Sequence, residues 1–188
     1  MYGDGNLRKD IGMTSTSFFR LLPALALLAM AAPARSDGTY FTRVGFAYEK
    51  NIHKTTNYLK GDRVPVNTEV RLLNKSGNRI TIETVGTKEK VDILNIERHS
   101  RVSIDSIQAR YLSAAKTPES EFTPAFLKDI EAGRVVMGMT RKDVIASVGY
   151  PPAHATASLD QNSWHYWVNR FKTTVVVFQD GKVSEVKK

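Results

Sequence analysis

Apolar and polar positions recur with two different periods along this chain, and the change of period marks out its elements. From Thr68 to Leu73 the alternation is strict, with Val70 and Leu72 on one face and Glu69 and Arg71 on the other. Lys75-Ser76-Gly77-Asn78 reads as a turn, after which Arg79 to Val85 alternates again through Ile80 and Ile82. Val91 to Ile96 is a third such run. A period of two is the signature of a half-buried strand. A helical period follows from Asp105 to Leu112, which places Ile104, Ile107 and Tyr111 inward. Short strands with turns at this spacing predict a small β-barrel with a C-terminal helix over residues 35–113.

The pattern lapses over Ala114 to Glu121, a small, polar segment containing Pro118, which reads as a linker. Beyond it, Phe122 is placed to staple to Leu127 across a Thr123 N-cap, with Pro124 at the first helical position. Phe126, Leu127 and Ile130 share the buried face, and Gly133 is the stop. The device repeats at Thr140, with Asp143 three residues on and Val144, Ile145 and Val148 as the buried stripe up to Gly149. Then Trp164, Tyr166 and Val168 alternate with His165, Trp167 and Asn169. Thr173 to Phe178, Asp180-Gly181 and Lys182 to Val186 complete a strand, a tight turn and a return strand. Two short helices with one apolar face each need a sheet to cover, so residues 122–188 predict a two-helix, three-stranded antiparallel α+β sandwich.

The ordered set from Ile130 through Gly138-Met139-Thr140, Val148-Gly149-Tyr150-Pro151 and Trp164-His165-Tyr166 to Asp180-Gly181 resembles the BamE (SmpA/OmlA) family of small envelope proteins. Gly61 to Thr68 is similar, more loosely, to the entry of a bacterial SH3-like barrel. The first resemblance implies a role in assembly or maintenance of the bacterial outer membrane, exercised by docking to envelope proteins and anionic lipid. The alternative is a peptidoglycan-binding or inhibitor-type periplasmic protein.

Leu21 to Ala32 is an apolar run preceded by Arg20 and followed by Ala32-Pro33-Ala34, which reads as a secretory signal with cleavage after Ala34 and Met13 as a plausible start. The run is shorter than the roughly 20 residues a membrane span needs. Export makes the total lack of cysteine informative, because stability must then come from packing without disulfides. It also departs from the family, whose members are typically anchored through a lipidated cysteine. The expectation is a periplasmic protein, associated with the outer membrane through partners, and not a lipoprotein.

Charge sharpens the partner class. Residues 35–118 carry 15 lysines and arginines against 9 acids, and residues 119–188 carry 9 against 8, so most of the net +8 lies on the first half. A basic exported surface favours acidic proteins, anionic lipid or wall polymers over nucleic acid. Catalytic constellations are poor. None of His53, His99, His154 and His165 stands at a metal-ligand spacing, although His154 and His165 with Asp160 could converge. There is no Gly-x-Ser-x-Gly and no cysteine nucleophile. The expectation is therefore a non-enzymatic binding protein without cofactor or metal. Lys54-Thr55-Thr56-Asn57-Tyr58 is a polar patch that reads as a loop, with a ligand-facing role as its sharper reading. His165 and Trp167 point away from the Trp164–Tyr166 face, and together with Arg170 and Phe171 they form the candidate partner-binding patch.

Overall fold

Three- and four-residue strands open the fold, too brief to show a period in sequence. In the computed structural model, which describes residues 38–188, they are β1 (Thr39–Thr42), β2 (Phe46–Tyr48), β3 (Ile52–Lys54) and β4 (Asp62–Val64). Longer strands follow at β5 (Glu69–Ser76), β6 (Arg79–Thr84) and β7 (Lys90–Leu94), then the helices α1 (Glu97–Ser100) and α2 (Ile104–Tyr111) and the two-residue β8 (Leu112–Ser113). One six-stranded sheet has the order β3-β7-β6-β5-β1-β8, antiparallel throughout except for the parallel β3–β7 pair. β2 and β4 pair separately. The alternation read from sequence sets the inward face: Val70, Ile80, Ile82, Val91 and Ile93 are each fully buried, beneath Phe46, Ile107 and Tyr111.

The second half begins with two 3-10 turns at Glu119–Glu121 and Pro124–Phe126, which lead into α3 (Leu127–Glu131) and α4 (Arg141–Val148). β9 (Ser163–Asn169), β10 (Lys172–Gln179) and β11 (Lys182–Lys187) form a sheet of order β11-β10-β9. Asp180 and Gly181 both have positive φ, 50° and 77°, as a type I′ hairpin turn requires. Thr140 caps α4 in a full capping box with Asp143. Thr123 does not cap its own helix. Its backbone N–H and its hydroxyl instead donate to the two carboxylate oxygens of Asp143, at 2.9 and 2.7 Å. Burial alone would raise the Asp143 pKa. The donors from Thr123 and Thr140 outweigh it and hold the carboxyl below the usual range.

The expected architecture of an SH3-like barrel followed by a two-helix, three-stranded α+β sandwich does not hold. The described residues are sheet-rich, 38% strand and 21% helix, with a curled half-barrel sheet and only four short helices. Two physical causes account for this. β3 and β8 remain the edges of the large sheet, so the curl does not close into a barrel. α3 spans only five residues, too short to cover a three-stranded sheet, and the core on that sheet is completed by Leu59 and Val66 from the first half. Ile145 packs on both cores.

The described residues belong to one compact unit. Ala114 to Glu121 runs between the two cores, clipped by Asn67, whose side chain donates to the Thr117 carbonyl at 2.9 Å and accepts from the Thr117 N–H at 2.8 Å. The expected secretory segment, the expected cleavage after Ala34 and the expected start at Met13 lie outside the described residues. Among the described residues, no helix is long and apolar enough to cross a membrane.

Candidate docking surface on the three-stranded sheet

β9 sorts its aromatics by face. Trp164 and Tyr166 are fully buried; the Trp164 indole N–H donates to Leu159 O at 3.3 Å and the Tyr166 hydroxyl to Gly149 O at 3.0 Å. The Trp164 ring lies 4.7 Å from that of Phe178. His165 and Trp167 occupy the other face and are half-buried. Opposite them on β10 stand Val175 and Thr173, so this outer face is aromatic and aliphatic at its centre.

At the β9–β10 turn, the Asn169 side-chain oxygen accepts the backbone N–H groups of Phe171 and Lys172, at 2.9 and 3.1 Å. Such a side-chain-to-backbone closure stiffens a turn locally. It leaves Phe171 82% exposed. The Arg170 guanidinium covers one side of the ring, 4.4 Å from its centroid. Lys172, also exposed, follows directly and adds a second positive charge. Lys187 stands across the sheet opposite Val175, paired with Glu185 at 3.2 Å.

The four residues expected to form a patch therefore divide. Arg170 and Phe171 form an exposed tip. Trp167 leans into the molecule, where His154 stacks on it at 5.2 Å and His99 stacks on His154 at 4.3 Å. The Trp167 carbonyl also accepts the Leu59 N–H at 2.8 Å. This ladder was not legible in sequence, because its three rings come from α1, the loop after α4 and β9. Burial first, then the neighbouring His154 and Arg98, lowers the His99 pKa, which favours the neutral ring the stack requires.

The other sequence candidates resolve into structure. His53 is buried in the first core between Ala47 O and the Tyr111 hydroxyl, at 2.7 and 2.8 Å. Thr55, Thr56 and Asn57 of the polar patch are buried, and only its ends, Lys54 and Tyr58, line an open surface hollow. Among the described residues, no three histidine or acidic side chains are placed to hold a metal ion, and His154 meets His99 rather than His165. No family model, curated protein or solved structure matches this chain.

Proposed function

We propose that the chain is an exported, non-enzymatic docking protein of a bacterial envelope, serving outer-membrane assembly or maintenance. It seats the β9–β10 tip in an acidic, apolar-lined recess of an envelope protein. The observation that carries this reading is Phe171, a large apolar ring held almost fully in solvent on a turn that Asn169 closes. Burying such a ring in a partner is worth about 1.5–3 kcal/mol, and a pre-formed turn loses little freedom on binding. Arg170 and Lys172 beside it select an acidic rim over a basic one. The half-buried His165 and Val175 continue the surface inward and support a contact wider than one side chain.

Photo-crosslinking tests the proposal. A benzophenone amino acid at position 171 of the full chain, expressed in the producing organism, should give one discrete protein adduct, which Arg170→Glu should abolish. The same probe at Leu73, an exposed apolar site on β5, should not give that adduct. Absence of a protein adduct at 171, an identical adduct from 73, or adducts with lipid alone would overturn the protein-docking reading.

A further inference from the structure

A cleft of about 490 Å³ lies between α4 and the Ser113–Pro118 segment, and its lining shares no residue with the β9–β10 tip. Its floor is apolar: the half-buried Ile145, which belongs to both cores, and the exposed Ala115 and Pro118 offer apolar surface, with Val44, Phe122 and Ala146 buried beside them. Its rim is cationic. Arg43, Lys116 and Lys142 are exposed around it, opposed by the single acid Glu121, which pairs with Lys142. Arg43 uses one amino group on the Ala109 carbonyl at 3.0 Å, leaving the rest of its donor fork without a partner among the described residues. Lys116 lies 5.6 Å from the centre of the Phe41 ring and has no carboxylate partner among the described residues. Tyr150, half-buried, also lines the cleft.

We infer that this cleft binds a single-chain amphiphile with a carboxylate head, the chemical class of a free fatty acid. The volume falls within the range of small-molecule sites, about 300–1,000 Å³. The apolar floor favours a hydrocarbon tail over a bare anion, which would leave that surface wet. The surplus of cations favours an acidic head, and the planar Arg43 fork matches a carboxylate. An extended peptide is disfavoured because the adjoining edge strand, β8, is two residues long and the wall beyond it is clipped through Asn67.

Titration calorimetry of the full chain with laurate, kept below its micelle concentration, should show saturable one-to-one binding. Dodecyl maltoside, with the same tail and no charge, should bind at least tenfold more weakly, and acetate should not compete. The double variant Arg43→Gln with Lys116→Gln should weaken laurate at least tenfold. Ala115→Trp, at an exposed position on the cleft wall, should abolish binding while leaving the melting temperature unchanged. The inference is overturned if the unmodified chain shows no saturable laurate binding, or if the maltoside binds equally well. It is also overturned if both variants bind as the parent does. Tighter binding of dodecyl phosphate than of laurate would overturn the carboxylate assignment.

Discussion

Because the Ala47 carbonyl can only accept, its 2.7 Å contact with His53 Nδ1 places the imidazole proton on that nitrogen. Nε2 is then an acceptor, and the Tyr111 hydroxyl donates to it at 2.8 Å. The neutral ring satisfies both partners, whereas a second proton would turn the hydroxyl from donor to acceptor and leave its own O–H without a partner among the described residues. Burial pushes the His53 pKa down to about 4, with the Arg63 charge adding to it and the Ala47 bond opposing it. Protons bind this histidine more readily in the unfolded chain, so its contribution to stability is complete above about pH 6.5. It is lost as the pH falls toward 4, amounting to about 3 kcal/mol across that window. Asp143, with its lowered pKa, adds its own loss only further down, as the pH falls through the carboxylate range. Denaturant unfolding at pH 7.5, 5.5 and 4.5 should show this decline, and the His53 ring should stay neutral by NMR above about pH 4. A stability profile flat between pH 6.5 and 4.5 would refute the assignment.

Helix ends and turns carry the element scale, and Gly133 shows how a local signal can hide a distant one. Its φ of +65° is the stop that sequence suggests after α3. A Cβ added there would also lie 1.9 Å from the Arg63 guanidinium carbon, and Arg63 in turn donates to Ser147 O at 2.7 Å. Gly133→Ala should therefore cost about 2–4 kcal/mol, combining the left-handed backbone penalty with displacement of a half-buried arginine. In an Arg63→Ala background the same change should cost only about 1–2 kcal/mol, the backbone penalty alone. Equal costs in both backgrounds would show that the clash is relieved without loss. The longer elements were readable in the same way: β5, β6, β7, β9, β10 and α4 each carry enough residues for a period, and the type I′ turn and the Thr140–Asp143 capping box are local in sequence. β1 to β4 were not readable, because strands of three or four residues depend on distant pairing, such as β3 alongside β7.

For the whole molecule, the informative contacts join residues far apart in sequence, and there the sequence reading reached least far. Alternation along β9 was enough to place His165 and Trp167 on the outer face, but the stack of His99 and His154 on Trp167 depends on tertiary placement. Asn57 is the sharper case, since in sequence it belonged to a polar patch open to a ligand role. In the fold it is fully buried with φ of +50°, and its amide donates at 2.8 Å to both the Val148 and Tyr150 carbonyls, around the end of α4. One side chain from the first half thus closes the C-terminal end of a helix in the second. Asn57→Ala removes both donors, leaves two carbonyls short of a partner and puts alanine in the left-handed region, so it should cost about 2–4 kcal/mol. Asn57→Asp keeps the shape but turns the donor into an anion facing two carbonyl oxygens, and it should cost more than Asn57→Ala at pH 7. A carboxyl in that setting has its pKa raised, because its charged form is disfavoured and its protonated form can donate. The Asn57→Asp deficit relative to the parent chain should therefore shrink as the pH falls from 7 to 4, even while the parent itself loses stability through His53. Paired denaturation curves at both pH values measure this difference directly. A deficit for Asn57→Asp that is unchanged by pH, or smaller than that of Asn57→Ala at pH 7, would mean that the two carbonyls do not depend on the Asn57 amide.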